Sequence, residues 1–244
     1  MTFYDTIGNG YASRRHADPR IAAVILDALG DARTVLNVGA GTGSYEPRDR
    51  MVVAVEPSRV MSAQRPVESV PVVQARAEDL PFATRSFDAT LAVLTVHHWT
   101  AQLTGLQECR RVARERVVLL TWDPQATGFW LVEDYFHDLL AHDRRVFPSL
   151  ELLERALGAI EVRPVEVPAD CRDGFLGAYW RRPEAYTDAA VRAGMSSFAR
   201  SAGVAAGVER LRRDLESGAW DEKHGSLRGE LTRDLGYRLV IAEA

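Results

Sequence analysis

Three glycines in five residues, Gly39-Ala40-Gly41-Thr42-Gly43, interrupt an apolar run where a strand gives way to a loop. Glycine turns the backbone sharply and lets it approach a ligand that a Cβ would block, so this spacing suits a nucleotide-type cofactor. A second β-rich run, residues 51–55, ends in Glu56-Pro57-Ser58, which places a carboxylate where a Rossmann-like sheet holds both hydroxyls of a ribose. Together they predict an adenine nucleoside. A fourth apolar run, 89–96, leads into Thr95-Val96-His97-His98-Trp99. Imidazole is the side chain best poised for general acid–base work near neutral pH, so His97 and His98 are the candidate catalytic residues, His98 preferred. Read as adjacent strand residues they point to opposite faces, which argues against a metal pair, and no metal is expected.

The dinucleotide fingerprint is G-x-G-x-x-G, and its third glycine position is Ser44 here. The pattern is G-x-G-x-G instead. In these residues the chain resembles the class I S-adenosylmethionine-dependent methyltransferases, in particular the broad methyltransferase type 11 group that includes ubiquinone-biosynthesis-like enzymes. Ala77-Glu78-Asp79-Leu80-Pro81-Phe82 resembles the family's acidic loop beside the adenine, and Ser86-Phe87-Asp88-Ala89 opens the strand that runs through its cofactor pocket. Four motifs in the family's order thus cover residues 34–99. The resemblance implies S-adenosylmethionine as cofactor, S-adenosylhomocysteine as product, and a cofactor site that includes Leu94 and Thr95. One position departs from the pattern: two residues before the first glycine, where many members carry Asp or Glu for the cofactor's amino group, stands Asn37. An amide oxygen accepts a hydrogen bond but brings no charge, so that contact is weaker.

Transfer of a methyl from a sulfonium is an in-line displacement, in which catalysis is largely a matter of holding the nucleophile about 3 to 3.5 Å from the methyl carbon. His97 and His98 then act either as base or as ligand contacts. Trp99 packs on the adenine or in the core. Trp122 and Asp123, at the end of the fifth strand, face the expected acceptor site, where Asp123 orients an acceptor or caps the next helix. Tyr4, Tyr11, Arg14 and Arg15 resemble the lead segment that related enzymes fold over the methionine end of the cofactor. Arg15, with Tyr11, is the better placed to pair with the carboxylate. The group 170–175, with Tyr179 and Trp180, lines the acceptor pocket or anchors a cap. Cys171 has no adjacent base and is not expected to be a nucleophile.

The elements that must position these residues alternate. Strands fall near Val35, Val53, Val72, Leu91 and Val118, with helices such as 59–64 and 102–113 between them. That alternation gives an α/β fold: a Rossmann-like seven-stranded, mostly parallel sheet with helices on both faces. Asp18-Pro19 precedes an apolar face at Ile21, Val24, Ile25 and Ala28 that Gly30 terminates, which predicts a helix before the first strand. Helices are expected over 129–140 and over 149–158 with Ser149 as N-cap, strand six over 160–167, and the last strand over 237–242 as a reversed hairpin at the sheet edge. The 65 residues 172–236 are too long for a turn, so a helical cap inserted before the last strand is expected. The organisation is therefore one domain over 1–244, with a lead segment and helix (1–33), a cofactor core (34–122), helices and strand six (123–171), the cap (172–236) and the last strand (237–244).

Composition sets the outer limits. At 244 residues and 46% hydrophobic content, one sizeable domain is the default. A net charge of −4 with scattered arginines gives no footprint for nucleic acid, so the expected partner is a small-molecule acceptor. Lys223 is the only lysine, a bias typical of a GC-rich bacterial genome. Cys109 and Cys171 suggest neither a disulfide framework nor a zinc site, and residues 1–10 lack the apolar core of a leader, so a cytoplasmic protein without a membrane span is expected. Oligomeric state is not legible. An RNA or protein methyltransferase and a non-methylating S-adenosylmethionine-binding protein are the rival readings; a nicotinamide dehydrogenase is disfavoured by the glycine spacing.

Overall fold

Asp18 opens the first long helix by accepting the backbone N–H of Arg20 at 3.0 Å, with Pro19 at the first helical position, and Gly30 closes it at φ 52°. This helix, α2 (Pro19–Leu29), follows a single turn, α1 (Tyr4–Ile7). The computed structural model describes residues 4–8 and 10–244. The leader reading of residues 1–10 therefore falls in part, at 1–3 and 9, outside the described residues.

The strands β1 (Thr34–Val38), β2 (Met51–Val55), β3 (Val72–Val73), β4 (Phe87–Val93), β5 (Ala113–Trp122) and β6 (Ile160–Pro164) run parallel, and β9 (Tyr237–Glu243) runs against them, in the order β3-β2-β1-β4-β5-β9-β6. The last strand is thus inserted between β5 and β6, and the edge itself is β6. Pro164 is tolerated there because an edge strand can forgo a ladder donor. Strand six is shorter than the sequence suggested: Val165 and Glu166 break it, and Val167–Pro168 (β7) turns away to pair with Thr232–Arg233 (β8).

Both faces of the sheet are buried, which explains the nearly continuous apolar strands. Alternation sends Val35, Leu91, Val118 and Leu120 into the layer under α2, and Leu36, Val38, Val117 and Leu119 into the layer under α4 (Gln102–Val112) and α6 (Leu150–Leu157). Ser149 caps α6 as expected, accepting from Leu152 N–H at 3.2 Å. A short helix α3 (Arg59–Ser62) follows β2. Residues 129–140 are not one helix: a π-turn over Leu131–Tyr135 precedes α5 (His137–Val146). The segment before β9 holds α7 (Ala189–Arg192), α8 (Val204–Ser217), α9 (Ala219–His224) and several 3-10 turns. Its interior joins the α2-side core through Trp130, Trp180, Tyr186 and Trp220, all 2% exposed or less. No helix among the described residues is long and apolar enough to cross a membrane.

Strand order reverses between β1 and β4, and the crevice outside the carboxyl ends of strands at such a switch point is where open α/β sheets bind ligands.

Candidate active site

At that crevice lies a cavity of about 320 Å³. The glycine loop forms one wall. Gly39 (φ 71°) donates to Val55 C=O at 2.8 Å, Ala40 to the same carbonyl at 3.0 Å, and Gly41 (φ 53°) to Glu56 Oε2 at 2.8 Å. A Cβ on Gly39 would stand 2.9 Å from both Cβ and Cγ2 of Thr95, with Oγ1 nearer still, so the loop and the end of β4 touch backbone to side chain. Glu56 is buried, and its other oxygen takes Ser58 N–H at 2.8 Å. Burial raises its pKa, opposed by those two N–H groups and by Arg65.

The cavity lining includes Tyr11, Arg15, Asn37, Gly39, Ala40, Gly41, Thr42, Glu56, Pro57, Ala77, Glu78, Leu94, Thr95, His98 and Trp99 from the sequence-predicted set. Three predicted cofactor contacts fall outside it. Gly43 (φ 86°) serves the turn beneath, where a Cβ would meet Glu46 Oε2 at 3.0 Å. Ser58 is fully buried; its hydroxyl caps α3 by accepting Met61 N–H and donates to Asp5 at 2.7 Å. Asp79 is exposed, on a bridge with Arg76. Glu78 lines the cavity but accepts the N–H groups of Thr100 and Ala101, at 2.7 and 3.1 Å, at the start of α4. Asn37 Nδ2 donates to Glu46 at 3.2 Å, and Glu46 is paired with Arg65 at 2.7 Å.

Arg15 lies in an ion pair with Asp173, at 2.5 and 3.0 Å, and bonds Tyr11 Oη. Asp173 also accepts from Tyr45 Oη at 3.0 Å. The lead segment, the turn after the glycine loop that carries Tyr45, and the segment 172–236 are thereby joined.

The histidines differ from expectation in backbone. Strand β4 stops at Val93, Leu94 turns the chain at φ 49°, and Val96–His98 is a 3-10 turn, so His97 and His98 share one side with ring centroids 3.8 Å apart. A positive φ at a leucine is strained, and such strain concentrates at functional sites. His98 Nδ1 accepts from Arg200 at 3.3 Å, which assigns the proton to Nε2, donating to Tyr4 Oη at 2.9 Å. Burial, with Arg200 and Arg15 nearby, holds its pKa down at about 3. His97 is held neutral too, by burial and by His98. Among the described residues no three His, Cys, Asp or Glu side chains gather as a metal site.

Beyond Tyr4, Arg15 and Leu94 a second, narrower cleft opens, with His97, Trp122, Phe147, Phe175, Leu176 and Tyr237 in its wall. Trp122, an acceptor-side candidate, lies in this wall. Phe175, from the 170–175 group, lines it too, whereas Asp123, Tyr179 and Trp180 fall outside both cavities. Trp180 is fully buried, donating to Val167 C=O at 3.0 Å and accepting from Trp130 at 2.9 Å through its carbonyl, so it anchors the cap. Tyr179 carries the Arg182 guanidinium over its ring at 4.6 Å. Asp123 closes a turn through Gln125 N–H at 2.9 Å, and caps no helix. Sequence reasoning omitted Ser44, Tyr45, Met61, Arg76, Val93 and Thr100 from the cavity, and Phe147, Leu176, Met195, Ser196, Ser197 and Tyr237 from the cleft wall. Tyr4, in both linings, sits in the lead segment already marked by its resemblance; Arg76 adjoins the acidic-loop motif; the rest carry no local signal.

Behind the cleft, Asp143 accepts Ser197 Oγ at 3.0 Å while only 2% exposed, and burial raises its pKa to about 6. The folded chain binds that proton more tightly than the unfolded one, so the contribution to stability is full below the ordinary carboxylate range and is lost as pH rises through about 6. Asp143→Asn is expected to stabilise the protein relative to wild type at pH 7.5, by up to about 3 kcal/mol at 1.36 kcal/mol per unit, and little at pH 4. Melting curves at the two pH values check this; an equal effect at both would contradict it.

This is the crevice, loop and sheet of the class I methyltransferases, and the chain belongs to the S-adenosylmethionine-dependent methyltransferases. The family model for a methyltransferase domain matches residues 36–121. The crystal structure of a protein from Anabaena variabilis, named as a candidate methyltransferase of an antibiotic biosynthesis pathway, is 36% identical, with a TM-score of 0.85 over 93% of this chain and 98% of that one. The rice (Oryza sativa subsp. japonica) chloroplastic 2-methyl-6-phytyl-1,4-hydroquinone methyltransferase 2 is 28% identical over 115 residues, spanning 43% of this chain and 33% of its own length. A Haemonchus contortus phosphoethanolamine-type N-methyltransferase, solved with phosphomonomethylethanolamine and S-adenosylhomocysteine, shares the fold (TM-score 0.52, 14% identity, 92% of this chain and 52% of that one). The family's cofactor is S-adenosylmethionine.

Proposed function

We propose that the chain transfers a methyl group from S-adenosylmethionine to a small organic acceptor by in-line displacement. The observation that carries this reading is the pair of joined cavities: a roomy one at the glycine loop and a narrow one beyond it, sharing Tyr4, Arg15 and Leu94. When bound, the cofactor supplies the electrophilic methyl on its sulfonium. The residues present suit it. Glu56 has used one lone pair on each oxygen for the loop, which leaves acceptor capacity for two ribose hydroxyls. Trp99, Arg76, Asn37 and Arg15 line the same cavity. Near neutral pH both histidines are uncharged, and both nitrogens of His98 are engaged with protein. His98 is therefore a positioning residue for Tyr4, and rate enhancement rests on orientation and exclusion of water.

A net charge of −4 with no basic run favours a small acceptor over RNA. Calorimetric titration with S-adenosylmethionine, S-adenosylhomocysteine and NAD in parallel tests the reading. Micromolar binding of the two adenosyl compounds alone is expected; NAD binding alone, or none, would overturn it. Methyl incorporation into an acceptor panel then separates transfer from mere cofactor binding.

A further inference from the structure

Asp173 lines neither cavity, but the residue it holds, Arg15, lines both. The Asp173 side chain has no solvent exposure and accepts four hydrogen bonds: Arg15 Nε at 2.5 Å, Arg15 Nη2 at 3.0 Å, Tyr45 Oη at 3.0 Å and the Gly174 N–H at 2.6 Å. Tyr45 and Gly174 therefore fix the carboxylate, and the carboxylate fixes Arg15 by one edge of its planar fork. There is no slack between the two segments, because a Cβ on Gly174 would collide with the Arg14 carbonyl oxygen.

A guanidinium has five N–H groups. Asp173 takes two of those on Arg15 and Tyr11 Oη a third, which leaves one on Nη1 and one on Nη2 with no partner among the described residues. The Arg15 side chain is only 11% exposed, whereas the other cation in the lining of the large cavity, Arg76, is open to solvent. S-adenosylmethionine carries one anionic group, the carboxylate of its amino-acid end. A largely buried fork with two donors to spare is the group in this wall that suits a carboxylate.

We propose that Asp173 is a positioning residue for the cofactor, anchoring Arg15 so that its two remaining N–H groups meet the cofactor's carboxylate. The inference rests on the reading that the large cavity binds S-adenosylmethionine. Two roles for Asp173 differ in sign. A mere counter-charge competes with the ligand for Arg15, and removing it would tighten the binding of an anion. An anchor preorganises the fork; without it the enclosed guanidinium has two more N–H groups to satisfy and turns toward other acceptors, so anion binding weakens.

Calorimetric titration of the full chain with S-adenosylhomocysteine and with methylthioadenosine, which lacks the amino-acid end, isolates this contact as a ratio of affinities. Wild type is expected to favour S-adenosylhomocysteine by at least about tenfold, the worth of one charge-assisted contact. Asp173→Asn should lower that ratio by about fivefold and leave methylthioadenosine affinity within about twofold, a split that general loosening of the fold would not produce. Arg15→Gln should lower the ratio as far, and adding Asp173→Asn to it should change the ratio little, since the anchor then has nothing to hold. If Asp173→Asn does not fold, Arg15→Lys decides: lysine keeps the charge without the fork, so its ratio should fall nearly to that of Arg15→Gln. A ratio raised or unchanged in Asp173→Asn, equal weakening of both nucleosides, or a wild-type ratio in Arg15→Gln or Arg15→Lys would each overturn the inference. Equal binding of the two nucleosides by wild type would overturn it and leave the cofactor reading standing, whereas binding of neither would remove both.

Discussion

Glu56→Ala is expected to weaken S-adenosylhomocysteine binding by at least about a hundredfold. Two hydroxyl bonds to a carboxylate, each about 1.5–3 kcal/mol, account for that figure at their lower end. The structure adds a second effect: Glu56 also receives the N–H groups of Gly41 and Ser58, so its loss leaves two backbone donors without acceptors in a largely buried loop. A stability loss of about 1–3 kcal/mol should accompany the affinity loss, read as a melting temperature lowered by several degrees. Glu56→Gln separates the two. Its amide keeps the volume and one acceptor, but turns an NH₂ toward one of those donors, so it should fall between wild type and alanine in both measurements. Wild-type affinity in Glu56→Ala by calorimetry would show that the ribose does not sit on this carboxylate.

Gly39→Ala should be as damaging through a different route. The residue holds φ 71°, where a Cβ costs about 1–2 kcal/mol, and that Cβ would meet the Thr95 side chain at 2.9 Å or less. The loop must move away from β4, which distorts the donors and the cavity wall together; a destabilisation of about 2–4 kcal/mol and at least tenfold weaker S-adenosylhomocysteine binding are expected. Adding Thr95→Ala removes the clash and leaves the dihedral cost, so the double variant should regain stability over the single one. Gly41→Ala is the comparison, because there only Met61 Cε comes near, at 3.4 Å. If Gly39→Ala matched wild type in both stability and binding, the loop would not be held by this contact.

What could be seen in the sequence was whatever local spacing encodes. Glycines at 39, 41 and 43, the carboxylate at 56, the Asp18-Pro19 helix start, the cap at Ser149 and the apolar strands all carry their meaning within a few residues, and the seven-stranded, mostly parallel sheet they predict is observed, with the last strand one place in from the edge and strand six shorter. The cleft is different. Its wall is assembled from residues 4, 15, 94, 97, 122, 147, 175–176, 195–197 and 237, which share no register. Trp122 and Trp180 are alike in type and in their apolar neighbourhoods, yet one reaches the cleft and the other spends its N–H on Val167. The histidine pair failed as a strand because Leu94 adopts a conformation that its residue type disfavours, and no propensity argument anticipates a tertiary contact that imposes it.

The place of β9 bears on how the chain is made. It lies between β5 and β6, and as the edge strand β6 has no other neighbour in the large sheet. Synthesis runs from the amino end, so β9 emerges after every other strand of that sheet. Until it arrives, the long apolar strand β5 stands as an open edge and β6 has nothing to pair with. Nascent chains of this protein thus pass through an interval in which the cofactor half of the sheet can form while its other flank stays sticky, the interval in which chaperone protection matters most.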